Sequence, residues 1–195
     1  MNYEAKPLPF SKPLIGISDR TLTAHHDKLY VGYVNKRNEI EEKLEKVDRT
    51  TANGTYSEYG ELKREETFAA NAMNLHEYYF NILGGDGVQA GELVDAIAKD
   101  FGSFENWLTD IKAAGLVARG WVVLAYDTNT GRLHNYVCDA HNHGGVWGAM
   151  PVIVLDTYEH AYFIDYGSDR KTYIEDYFKN LDWNKANEIY KNIKK

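Results

Sequence analysis

Apolar residues recur at helical spacing through the first part of the chain and in short strand-like runs further on. From Asp19 to about Val47, Leu22, His25, Leu29, Tyr33, Ile40 and Leu44 fall at helical spacing behind a Ser-Asp start signal, which predicts a long amphipathic helix. The polar stretch DRTTANGTYSEYG separates it from a second helical run, ELKREETFAANAMNLHEYYFNIL, in which Phe68, Met73, His76 and Phe80 lie on or near one stripe. Together they predict a helical hairpin, and GGDG at residues 84–87 ends it. Two shorter helical segments follow, QAGELVDAIAKDFG and SFENWLTDIKAAGLV, the second with Ser103 as its cap and Glu105 nearby.

Beyond them the pattern changes. GWVVLAYD, RLHNYVCD and MPVIVLD read as three short strands, the first two joined by the turn signal TNTG, and they predict a small antiparallel sheet. The tail returns to helical periodicity, with Asp182 ahead of Trp183 as a further start signal. The expected architecture is α+β: an N-terminal helical hairpin domain, residues 1–84, then a C-terminal α/β domain, residues 85–195, with helices around a three-stranded antiparallel sheet. There is no internal repeat and no low-complexity tract.

Composition narrows the function classes. A chain of 195 residues with 44% hydrophobic content can bury a sizeable core, as one domain or two closely packed halves. The single cysteine, Cys138, allows no intrachain disulfide and fits a structural thiol in a reducing, cytoplasmic setting. The start MNYEAKPLPFSKPLIG lacks a basic segment followed by an apolar core, and no apolar run approaches the roughly 18 residues that span a bilayer, so no membrane association is expected. A net charge of −7 argues against nucleic acid as a partner. It leaves a small anionic substrate open, because local potential steers encounter.

The candidate chemistry lies in seven histidines, His25, His26, His76, His134, His141, His143 and His160. His25 and His76 occupy the apolar stripes of two helices in one hairpin and can face each other across its seam. Asp156 ends a buried strand, where an ionised carboxylate is costly without a cation or strong donors, and His160 follows one helical turn later. Three imidazoles and one carboxylate suit iron, manganese or zinc better than magnesium or calcium. HEYYF at residue 76 begins like the H-E-x-x-H motif of zinc hydrolases but has Phe80 where the second histidine belongs, which argues against that class.

The run Asp156-Thr157-Tyr158-Glu159-His160-Ala161-Tyr162 resembles the D-x-W-E-H-A-Y signature of the iron/manganese superoxide dismutases. LPF near residue 8, TLTAHH, NLH, DFGSFENW and ARGWVVL also resemble family segments in the same order, so the likeness covers essentially the whole chain. The resemblance implies that His25, His76, Asp156 and His160 bind one iron or manganese ion per subunit, with a solvent molecule as fifth ligand. It implies an ion that alternates between trivalent and divalent states while two superoxide anions become dioxygen and hydrogen peroxide. Tyr33, eight residues after His25, stands where the family has its gateway tyrosine. Glu159 and His160 imply a homodimer in which the two sites are linked, with a tetramer also open.

The departures from the family matter as much. Many members hydrogen-bond the metal-bound solvent with a glutamine, from the second helix or from the sheet. The helix position here is Ala72, too small for the task, and the sheet position, fifteen residues before Asp156, is His141, with His143 as fallback. A histidine there is expected to titrate near neutral pH, unlike an amide. Phe80, Tyr158 and Val123 stand where tryptophan is common, and Leu29 replaces a histidine that meets the equivalent of Tyr162 across the dimer. Lys28 and Arg170 match basic positions that would guide superoxide, the alternative being solvated surface charges. The competing reading is a non-catalytic metal-binding interaction protein on the same scaffold.

Overall fold

The computed structural model describes residues 2–194. The first helical run is continuous but not uniform: α1 (Asp19–Leu22) passes into a π-helical segment, Thr23–Tyr30, and then into α2 (Val31–Lys46). The sequence pattern predicts an unbroken α-helix, and the π segment is the correction. Its hydrogen bonds reach back one residue further than in an α-helix, so each turn takes in an extra residue. His26, Tyr30 and Val34 are buried as well as His25, at spacings of four beside the stripe of Leu22, His25, Leu29 and Tyr33. Ser18 caps the run, its hydroxyl accepting from Thr21 N at 3.3 Å.

Helix α3 (Glu58–Asn81) returns antiparallel to α2. It starts three residues earlier than the pattern predicts, because Ser57 caps it by accepting from Gly60 N at 3.1 Å. Ile40, Leu44 and Ala69 form a small apolar cluster between α2 and α3, while Val34, Met73 and Phe80 join the main core. Helix α4 (Glu92–Phe101) begins after Gly91 rather than at Gln89. Gly91 takes φ +92, and a Cβ there would meet the Asn187 side chain, which itself accepts from Leu93 N at 2.8 Å. Helix α5 (Phe104–Val117) is capped by Ser103, as expected.

Strands β1 (Trp121–Asp127), β2 (Arg132–Cys138) and β3 (Ala149–Asp156) form one antiparallel sheet in the order β2-β1-β3. Trp121 faces Cys138 on one side and Asp156 on the other. The β1–β3 register slips by one residue between Leu124 and Ala125, leaving Val152 as the extra residue of a bulge. After β3 come a one-turn 3₁₀ helix, Glu159–Ala161, then α6 (Phe163–Tyr166), α7 (Arg170–Lys179) and α8 (Trp183–Ile193). Asp182 caps α8 by accepting from Asn184 N and Lys185 N. The main core runs through the sheet, α5, α7 and the inner face of the hairpin, with Trp107, Trp121, Tyr173 and Tyr177 fully buried. Among the described residues no helix is long and apolar enough to cross a membrane.

Candidate metal centre

Four separate segments deliver four side chains to one point. His25 comes from the π segment, His76 from α3, Asp156 from the end of β3 and His160 from the 3₁₀ turn after it. One donor atom from each lies within 4.8 Å of the others. Asp156 Oδ2 is the hub, 3.0 Å from His25 Nε2, 3.1 Å from His160 Nε2 and 3.7 Å from His76 Nε2. Asp156 Oδ1 accepts from Tyr158 N at 2.9 Å, which leaves Oδ2 turned toward the imidazoles. Tyr173 donates to the Asp156 carbonyl at 2.8 Å and Tyr177 to the Val154 carbonyl at 2.9 Å, so α7 pins the end of β3. Sequence reading missed both tyrosines; their spacing, four residues apart on a helix that must cover the sheet, was the available signal.

The donor set fits a metal ion. His76 Nδ1 lies 2.6 Å from the Ala72 carbonyl, which can only accept, so Nδ1 carries the proton and Nε2 presents a lone pair to the centre. Ala72 thus orients the His76 ring through its backbone carbonyl. His25 Nε2 and His76 Nε2 are buried without any hydrogen-bond partner. An unsatisfied buried polar atom costs about 1–3 kcal/mol, and a cation at this point satisfies both. Burial holds the pKa values of His25 and His76 below the usual imidazole range, hence neutral and able to ligate. For Asp156, burial alone would raise the pKa, but the His160 charge and hydrogen bond, with His25 close by, bring it below the usual carboxylate range. His160 shows the reverse balance: burial lowers it, and the Asp156 carboxylate more than offsets that.

Behind the four donors runs a directed chain of hydrogen bonds. Trp121 Nε1–H can only donate, and it reaches His141 Nδ1 at 2.9 Å. The His141 proton therefore sits on Nε2, which donates to Tyr33 Oη at 3.1 Å and leaves the tyrosine's own hydrogen free for another partner. Burial pushes the His141 pKa down to about 4, so the expected titration near neutral pH is corrected: the ring stays neutral there. Burial, followed by the nearby Asp156 charge, raises that of Tyr33. His143, the fallback for His141, is exposed and its backbone bonds to Asp139 and Ala140, outside this chain. His26 is also removed from the centre, its ring between the Lys6 carbonyl and the Asp27 carboxylate.

Two of the three residues that replace tryptophan still wall the centre. Phe80 packs edge-on to His25 with ring centroids 4.9 Å apart, and Tyr158 stacks on His160 at 5.2 Å and leans on His141 at 5.0 Å. Val123 is buried in β1 and faces a groove outside the wall. Tyr162 Oη accepts from Arg170 Nε at 3.1 Å, and Arg170 also donates to the Ala118 carbonyl at 2.8 Å. Arg170 is thus held by hydrogen bonds within the chain rather than free at the surface. Lys28 and Glu159 are exposed. Burial pushes the Cys138 thiol up to about 11, which fits a structural role.

Three imidazoles and a carboxylate, closed between a helical hairpin and a three-stranded sheet, define a mononuclear metalloprotein of the mixed nitrogen–oxygen type. The family models agree on which one. The description "Iron/manganese superoxide dismutases, alpha-hairpin domain" matches residues 2–84, and "Iron/manganese superoxide dismutases, C-terminal domain" matches residues 89–189. The chain belongs to the iron/manganese superoxide dismutase family. It is 42% identical over 200 residues to "Superoxide dismutase [Fe]" of Aquifex aeolicus, covering 99% of this chain and 94% of the relative. It is 40% identical to "Superoxide dismutase [Fe]" of Cupriavidus metallidurans, covering 95% of each, and 36% identical to "Superoxide dismutase [Mn] 1" of Halobacterium salinarum, covering 96% and 94%.

Proposed function

We propose that the chain is a superoxide dismutase that works with one iron or manganese ion per subunit held by His25, His76, Asp156 and His160. The observation that carries this reading is the pair of buried, unpartnered imidazole nitrogens turned toward an ionised carboxylate. When bound, the ion supplies a one-electron couple between trivalent and divalent states, so one superoxide is oxidised to dioxygen and a second takes up one electron and two protons to become hydrogen peroxide. His76 keeps its Nε2 lone pair inward because Ala72 holds its proton. Tyr33, its oxygen occupied by His141, keeps a hydrogen available for the reduced substrate, and Trp121 fixes the direction of that bond. Phe80 and Tyr158 limit water around the donors. Lys28 supplies exposed positive charge for an anionic substrate, so the rate falls as salt rises.

In the same reading the chain is a cytoplasmic antioxidant enzyme of two halves, residues 1–84 and 85–195, with the centre between them. It pairs as a homodimer through the exposed Glu159, which meets His160 of the partner subunit. The test is dismutation by protein stripped of metal and reloaded separately with iron and with manganese. Activity with one metal identifies the working ion, and comparable activity with both identifies a metal-tolerant enzyme. Inactivity of both fully loaded forms would sink the reading and leave a non-catalytic metal-binding protein, against which the retained donors and Tyr33 now stand.

A further inference from the structure

Five tyrosines, Tyr79, Tyr162, Tyr166, Tyr173 and Tyr177, pack against one another where α3, α6 and α7 meet. The cluster touches the donors directly: the Tyr79 ring lies 5.1 Å from that of His25, and the Tyr173 hydroxyl donates to the Asp156 carbonyl at 2.8 Å. Because that hydrogen is committed, Tyr79 donates to Tyr173 Oη at 3.2 Å. From Tyr173 the contact continues to Tyr166, ring centroids 5.8 Å apart, and the Tyr166 hydroxyl donates to Asp176 Oδ2 at 2.9 Å. A line of touching phenols thus joins a donor histidine to a carboxylate near the surface, where Lys179 holds the other oxygen of Asp176 at 2.7 Å. Dismutation as proposed above draws on none of Tyr79, Tyr166 and Asp176.

We propose that Tyr79, Tyr173 and Tyr166 form a one-electron exit from the metal centre, with Asp176 as the proton acceptor at its outer end, and that this exit spares the ligand side chains from oxidation. It rests on the reading of the centre as an iron or manganese site. The oxidant is hydrogen peroxide, the product of the reaction: one electron from a divalent ion, a second from the tyrosines and two protons from solvent convert it to two waters. The ion is left trivalent, Tyr166 a neutral radical and Asp176 protonated. A one-electron reductant in solution, such as ascorbate, then refills Tyr166, and Asp176 returns its proton.

The hydrogen bonds decide where the missing electron comes to rest. A phenol that loses an electron becomes a strong acid, and buried positive charge is costly, so the vacancy settles where a proton can leave. Tyr173 and Tyr177 donate to main-chain carbonyls and Tyr79 to another phenol, none of which takes up a proton. Tyr162 faces the Arg170 cation, which opposes loss of an electron. Within this cluster Tyr166 alone donates to a carboxylate. Burial, followed by the Asp176 hydrogen bond and charge, holds its pKa above the ordinary 10, so its proton leaves only together with the electron. Gly16 closes over the pair: it takes φ +75, and a Cβ there would collide with the Tyr166 hydroxyl and Asp176 Oδ2. Outside the cluster Tyr30 donates to Glu77 at 3.1 Å, but its oxygen also accepts from Lys6 N at 2.9 Å, which makes its electron harder to remove.

The test uses protein loaded with iron to measured content, mixed with hydrogen peroxide and freeze-quenched for electron paramagnetic resonance. A radical signal is expected that narrows when the protein is made with ring-deuterated tyrosine. Tyr166→Phe and Asp176→Asn are each expected to cut its yield several-fold, the second because an amide keeps the hydrogen bond but takes no proton, whereas Tyr30→Phe leaves it unchanged. Both exit variants are expected to dismutate superoxide normally before treatment, to be inactivated by peroxide several-fold faster, and to show added oxygen at Tyr79 or His25 in peptide mass spectra. Absence of a tyrosine radical in the unsubstituted protein overturns the proposal, as does a yield that survives Tyr166→Phe or falls in Tyr30→Phe. Equal inactivation of Tyr166→Phe and wild type overturns it as well. Failure of the dismutase reading is distinguishable: iron-loaded protein that does not dismutate superoxide yet forms the Tyr166-dependent radical keeps the exit and loses that function.

Discussion

A neutral imidazole has one proton to place, and at His141 its neighbours decide where. Trp121 can only donate, so Nδ1 accepts and Nε2 donates onward to Tyr33. Glutamine has an acceptor and a donor at similar reach and can serve both partners; leucine can serve neither. His141→Gln is therefore expected to retain most of the activity, and His141→Leu to lose about 10–100-fold at unchanged metal content. Because the ring already stays neutral down to a pKa of about 4, the pH–rate profile around neutrality is expected to match in wild type and His141→Gln. A His141→Leu protein with the wild-type rate would remove this residue from the mechanism. Sequence reading singled out His141 by counting back from Asp156, but the direction of the chain was not legible. It depends on which edge of the Trp121 indole faces the ring, a property of three-dimensional packing. The four clustered residues were legible because an Asp at the end of an apolar strand and histidines on apolar stripes are each costly without a common partner.

Helices and strands were legible to different degrees for physical reasons. The three strands stood out because short β-type runs are bounded by turn residues, and Ser103 and Asp182 stood out because side chains of their type satisfy free helix N–H groups. The π segment did not, since Leu22, His25, Leu29 and Tyr33 also satisfy α-helical spacing and nothing local marks the longer hydrogen bonds. Helix α1 leads into the segment that carries His25, and α6 follows the turn that carries His160. Asp165 joins them, its Oδ2 accepting from Thr21 Oγ1 at 2.6 Å and from Ser18 N at 2.9 Å. Burial would raise its pKa, but these hydrogen bonds bring it below the ordinary value of 3.8. A folded pKa below the unfolded one means that the unfolded chain binds more protons as pH falls. The contribution is thus present above about 3.8 and lost as pH drops through the folded value. Asp165→Asn is expected to lower the melting temperature by about 1–4 °C at pH 7. The gap to wild type is expected to close under acid conditions; a gap constant with pH would show that the carboxylate charge is not involved.

At the scale of the whole molecule, the centre is where the hairpin and the sheet meet, and its donors come from segments as distant in sequence as His25 and His160. Such convergence is only indirectly legible in sequence, because each donor is buried by neighbours that the others bring. Without an ion, the folded chain holds an ionised Asp156 beside two imidazole nitrogens that bond to nothing, a cost the unfolded chain does not bear. An ion that binds only the assembled centre must therefore stabilise the entire fold. At an excess of about 100 times Kd the linkage is about 2.7 kcal/mol. For a chain of this size each kcal/mol moves the melting temperature by about 2–4 °C, so chelation is expected to lower it by roughly 5–11 °C and either iron or manganese to restore it. Asp156→Asn removes the hub while keeping its shape, so its melting temperature is expected to respond little to either metal. Calorimetry on protein of measured metal content decides the matter: equal melting temperatures with and without metal would mean that the four side chains do not share an ion in the folded state.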